Sequence, residues 1–224
     1  MGEAIGQVLP FAVGVAISPM PVVAMVLMLI TPQARANGVT FVLGWMLGIA
    51  VAGAILLSVA SPADASEEGA PADWVSWLKL ALGVLLLLVA VKEWKARPAP
   101  GAEAPMPKWM SALDGITPVK AGGLAILLGT INPKNLLLIV GGAAAVAQTG
   151  VSAGDQTVAW IVFTLIATIG VAAPLVVYFV MGDRAPAILE ELKEWMARNN
   201  TAVMAVLCLV IGVKLFGDAI TGLS

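Results

Sequence analysis

The sequence predicts an all-α integral membrane protein. It should have six transmembrane helices arranged as a 3+3 inverted repeat, with the first and fourth helices broken. Three observations predict this. Of the 224 residues, 60% are hydrophobic and 12% charged, with a mean hydropathy of +0.97, against about 45–50% and about 25% in soluble domains. A chain of this size cannot hide so much apolar surface in one water-facing globule. Apolar stretches long enough to cross a hydrocarbon core of about 30 Å, which takes about 20 residues, occur at 4–30, 36–60, 75–94, 117–147, 156–181 and 200–220. Finally, the first and fourth stretches each carry a proline motif near the middle, at positions 114 residues apart, close to half the chain.

Composition also removes whole classes of function. There is no histidine and there is one cysteine, which excludes imidazole catalysis, histidine-rich metal sites and an intramolecular disulfide. A net charge of −2 gives no basic field for nucleic acid. No nucleotide-binding motif is present, so no cofactor is expected and ATP-driven pumping would need a partner.

The first span cannot be a cleaved signal peptide: it opens on Glu3, lacks a basic segment and is far longer than a signal core. In the second, Gly44-Trp45-Met46-Leu47-Gly48 is a small-xxx-small pattern suited to close helix packing. The third opens with Trp74 and Trp77 and closes with Trp94, an aromatic belt at both faces. Lys79 and Lys92 are expected to snorkel to those same faces. Residues 95–116, with Pro98, Pro100, Pro105 and Pro107, form a cytoplasmic Pro/Ala-rich linker between a first three-helix repeat, 1–94, and a second, 117–224. In the second repeat, Gly141, Gly142, Gly170 and Pro174 allow close approach or bending. Between the fifth and sixth spans, 186–198 places Ile188, Leu189, Leu192, Trp195 and Met196 opposite Glu190, Glu191, Lys193 and Glu194, the pattern of an amphipathic surface helix. In the sixth span Lys214 and Asp218 are spaced to pair, Cys208 is a small core residue, and Ile211-Gly212-Val213 echoes Leu82-Gly83-Val84 of the third span.

Basic residues set the orientation. The first, third and fifth connections hold Arg35; Lys92, Lys95, Arg97, Lys108 and Lys120; and Arg184, Lys193 and Arg198. The second and fourth hold none, and carry Asp64, Glu67, Glu68, Asp73 and Asp155 instead. A plasma-membrane protein with both termini outside the cytoplasm follows.

The two breaks are the candidate site. One reads Ile17-Ser18-Pro19-Met20-Pro21, the other Ile131-Asn132-Pro133-Lys134-Asn135. Proline removes a backbone donor and displaces the carbonyl four residues earlier. Ser-Pro and Asn-Pro are also a good helix cap followed by a good first helical residue. Each motif therefore ends one half-helix and starts another, and two half-helix N-termini facing each other at the midplane suit an anion. Lys134 is the strongest single candidate, since a lysine at the centre of a span costs about 2.5–3.5 kcal/mol. No Asp or Glu lies in a central stretch to offset it. Asn132, Asn135 and Ser18 complete the candidate substrate-binding set, and Pro19, Pro21 and Pro133 shape it. No metal site is expected.

The SPMP break, Phe41-Val42-Leu43-Gly44-Trp45 and the NPKN stretch at 132–135 resemble the GAP family, also called Sap, the sulfolipid-addressing proteins, within the LysE exporter superfamily. That resemblance implies export or surface delivery of envelope glycolipids and peptidoglycolipids. It admits a second copy of the chain or envelope-lipid export machinery as partners. With the anion site, it favours a transporter, not an enzyme, for an anionic lipid or glycolipid. The alternatives are an amino-acid-type small-solute exporter of the same superfamily and a non-transporting scaffold for another exporter. An intramembrane lipid transferase would need a nucleophile or base with partners, which the spans do not offer.

Overall fold

The computed structural model describes residues 1–60, 73–97 and 115–223, without the side chains of residues 60 and 73–75. The acidic loop around Asp64, Glu67 and Glu68, most of the 95–116 linker and the Trp74 ring lie outside these. The described residues are helical, with no strand: α1 (Gly2–Ala16), α2 (Pro19–Leu29), α3 (Ala34–Ala60), α4 (Asp73–Lys95), α5 (Pro118–Thr130), α6 (Pro133–Ala147), α7 (Ala153–Val180) and α8 (Ala185–Leu223). Helices α3 and α7, and α8 with the short 3-10 turn before it, are each long and apolar enough to cross a membrane. So are the bent pairs α1–α2 and α5–α6. The chain is therefore a multi-pass helical membrane protein.

Both breaks fall where the prolines predict. Helix α1 gives way to α2 through a bend of 50°, and α5 to α6 through one of 63°. Their capping residues have nearly identical backbones, φ −57° and ψ 115° at Ser18 against φ −58° and ψ 117° at Asn132. Both lie outside the α region, which a residue before proline avoids. By contrast, Pro10 and Pro174 lie inside α1 and α7, which continue through them.

Side-chain and backbone contacts sort the helix ends. Ser76 of α4 meets Gln148 just past α6, and the N-terminal amine meets Asp155 of α7 at 3.6 Å. At the other end Asn37 of α3 bonds Thr31 after α2 and the Ile116 carbonyl before α5. The starts of α1, α4 and α7 and the end of α6 thus share one face. The end of α2 and the starts of α3 and α5 share the other.

Lipid offers no hydrophobic drive for helices to associate, so small residues and close backbone contact hold the bundle together. A Cβ at Gly44 would strike the Gly122 carbonyl of α5, and one at Gly170 of α7 would strike the Ala16 carbonyl at the end of α1. Gly141 and Gly142 leave room for Phe11 and Phe163. Gly83 and Gly212, from the two echoing motifs, face each other where α4 crosses α8: a Cβ on either would lie 3.1 or 3.2 Å from the other's carbonyl oxygen. Buried tryptophans tie α3 to α7 reciprocally. Trp45 Nε1 donates to the Ala167 carbonyl at 3.2 Å, and Trp160 Nε1 to the Ile49 carbonyl at 3.1 Å. Gly53 makes space for the Trp160 ring.

Two expectations change. Residues 186–198 do not form a separate surface helix; they run without a break into the last span as part of the 39-residue α8. At 1.5 Å per residue that helix is about 58 Å long, so it extends well beyond a hydrocarbon core of about 30 Å. Its first turns bury Ala185 and Leu189 against protein, while Trp195 of the same apolar stripe stays 48% exposed. Lys79 does not snorkel. It is 4% exposed and turned inward, whereas Trp77 and Trp94 are exposed as a belt requires.

Candidate functional site

At the second break the freed backbone groups find specific partners. The Asn132 amide N–H reaches back to the Leu127 carbonyl, which leaves the Leu128 carbonyl without its usual helical donor. Asn135 supplies one: its Nδ2 donates to Leu128 O at 3.0 Å. The Asn132 side chain accepts from the Lys134 amide at 3.2 Å, capping α6. Asn135 is fully buried, and its Oδ1 has no donor among the described residues. A buried carbonyl oxygen without a partner is costly, and Asn135 Oδ1 is such an acceptor.

Lys134 is where the sequence reading must be corrected. Its Nζ lies 2.7 Å from Glu93 Oε1 near the end of α4, so a carboxylate does offset the lysine. Glu93 falls just before Trp94, at the end of the third span and outside any central stretch. The long lysine stem lets a backbone inside one span meet a carboxylate near the end of another. The pair is mostly enclosed, with side chains 28% and 13% exposed. It is electrically neutral, so the ammonium is held in place and its charge is already matched.

The first break is simpler. Ser18 is 3% exposed and caps α2 in backbone geometry, without a side-chain hydrogen bond to the helix. Pro19 and Pro21 open α2 and are buried. Among the described residues no hydrogen bond or ion pair joins this motif to the other. Register nevertheless brings them to one level. Helices α1 and α6 run antiparallel, with Gly14 opposite Leu138 and Phe11 opposite Gly141, so the end of α1 and the start of α6 lie at the same end of that pair.

A family model described as Sap, sulfolipid-1-addressing protein, matches residues 8–221. The chain belongs to the Sap family. The resemblance read from the SPMP and NPKN motifs holds at that level, and the match takes in both breaks and all eight helices in whole or part. The Sap description links this membrane protein to sulfolipid addressing, and Sap is not a known enzyme family. No curated protein and no solved structure matches the chain.

Other polar contacts of this Sap-family chain extend what its sequence predicts. Lys214 and Asp218 pair at 2.6 Å as their spacing predicts. Lys79 joins them from α4, 4.0 Å from the same carboxylate oxygen, and Gln7 of α1 accepts from Lys214 at 2.8 Å. Asn37, fully buried, ties the ends of α2, α3 and α5 together. No three His, Cys, Asp or Glu side chains group as a metal site among the described residues.

Proposed function

We propose that this Sap-family chain carries an anionic lipid or glycolipid of the cell envelope across the plasma membrane, with the head group taken by Lys134 at the second break. The single observation that carries the reading is the Lys134–Glu93 contact inside the bundle beside the N-terminus of α6. A carboxylate on that ammonium marks a place an anion can occupy. A sulfate or phosphate group arriving there competes with Glu93, and the capped N-terminus of α6 adds its partial positive charge. Asn135 Oδ1 offers an acceptor for a sugar or glycerol hydroxyl, and Ser18 a hydroxyl at the same level. Acyl chains stay in lipid, outside the bundle.

The architecture we propose for this is six spans in a 3+3 inverted repeat: α1–α2, α3 and α4, then α5–α6, α7 and α8. Matched capping geometry, the facing Gly83 and Gly212 and the reciprocal tryptophan bonds support it. So does the pairing of helices, since α3 packs on α5 as α7 packs on α1. Both termini then lie outside the cytoplasm. In a Cys208→Ala background, an impermeant maleimide should label Glu67→Cys in intact cells and leave Glu103→Cys untouched. The reverse pattern would overturn this orientation.

Transport itself is tested with the purified chain in liposomes. A fluorescent anionic lipid should move between leaflets severalfold faster than in protein-free vesicles, and a zwitterionic one should not. Movement of a free amino acid instead would favour the small-solute exporter. No movement, with loss of another exporter's activity when this chain is deleted, would leave a scaffold.

A further inference from the structure

The structure assigns a second anion site to Lys79, Lys214 and Ser76, at the opposite end of α4 from Glu93 and independent of the Lys134 reading. Two ammonium groups here share one carboxylate. Lys214 Nζ is 2.6 Å from Asp218 Oδ2 and 2.8 Å from Gln7 Oε1, so it is well satisfied. Lys79 is not. It lies 4.0 Å from that same oxygen, beyond the 2.7–3.2 Å of a hydrogen bond, and has no other ion pair or hydrogen bond among the described residues. Its side chain is 5% exposed, so water does not take up its three donors. Among the described residues this leaves a cation with spare donors and one unit of surplus charge, which calls for an anion.

A further donor stands beside it. Ser76, one turn earlier on the same face of α4, is fully buried. Its Oγ accepts from Gln148 Nε2 at 3.4 Å, which leaves the hydroxyl proton free to give. Lys214 and Asp218 are 27% and 30% exposed, so the cluster is not sealed. The ligand class that fits is a singly charged tetrahedral oxyanion, a phosphate diester or a sulfate ester, because two ammoniums and one carboxylate leave one charge to match. Lys79 lies six residues from the start of α4 and Glu93 fourteen residues further on, about 21 Å along the axis. The two sites therefore sit on opposite halves of the bundle.

The test uses the purified full chain in phosphatidylcholine nanodiscs and reads the shift in melting temperature. One arm adds sodium sulfate at constant ionic strength. The other replaces phosphatidylcholine stepwise with phosphatidylglycerol. A response to sulfate names a free anion, and a response to phosphatidylglycerol alone names a lipid head group. Every variant is made in a Lys134→Gln background, which removes any response of the first break; there Lys79→Gln and Lys214→Gln should each weaken the half-saturating anion about tenfold, and Lys79→Arg should stay near its parent. Asp218→Asn is decisive even if Lys79→Gln folds poorly. Without the competing carboxylate the site should bind its anion severalfold tighter, whereas a purely internal ion cluster would gain nothing. No response in either arm in that background, a response kept without Lys79, or an Asp218→Asn chain that binds no tighter would overturn the site.

Discussion

Gly170→Ala is expected to lower the melting temperature of the detergent-purified protein by many degrees, and Gly170→Leu to abolish recovery of a monodisperse species. A Cβ at Gly170 would overlap the carbonyl oxygen of Ala16. The oxygen is part of a helix backbone and the Cβ direction is fixed by one, so neither can rotate aside as a longer side chain would. Overpacking costs typically about 1–3 kcal/mol and more where the neighbour cannot yield. Alanine returns roughly 0.8–1 kcal/mol of helix propensity, so the collision wins. The damage also lands at a sensitive place, because Ala16 is the last residue of α1 before the Ser18 break. Gly217→Ala on α8 is the control. Its Cβ would meet nothing within 4 Å, so propensity acts alone and the variant should melt at or slightly above wild type. A Gly170→Ala protein as stable as the Gly217→Ala protein would mean that α7 does not run against α1 in this way.

Much of this fold can be read from the chain because its signals are long or chemically unusual. Prolines at 19 and 133, each after a capping residue, break their helices where expected, and the small residues at 44, 83, 141, 170 and 212 mark close contacts. What cannot be read is which way a membrane helix faces. Lipid and protein interior are equally apolar, so α4 shows no periodicity to separate its two sides, and the inward turn of Lys79 has no sequence signal beyond the charge itself. Glu93 is missed for a related reason: position along the chain gives its depth, while a lysine from another helix can cross part of that depth with its side chain. The amphipathic pattern at 186–198 correctly marks a helix with an apolar stripe. It cannot say whether membrane or protein covers the stripe, nor that α8 carries on unbroken.

Removing Lys134 and Glu93 singly and together separates a transport site from a structural ion pair. Lys134→Gln leaves Glu93 enclosed without its cation, and Glu93→Gln leaves an ammonium beside the positive end of α6. Breaking a fully buried pair costs about 3–5 kcal/mol. These side chains are 28% and 13% exposed, so a smaller loss, roughly 1–3 kcal/mol, is expected for each single variant. In the double variant two neutral amides face each other and most of that loss should be recovered, a coupling typical of residues in direct contact. Transport should divide differently. Lys134→Gln and the double variant should both fall to the protein-free rate in the liposome assay, because the ammonium that receives the head group is gone. Glu93→Gln should still bind the anionic lipid, severalfold more tightly than wild type with its competitor removed, and should turn over more slowly because nothing displaces the bound head group. If the double variant regains transport along with stability, Lys134 and Glu93 serve only to hold α4 against α6, and the head group must be taken elsewhere.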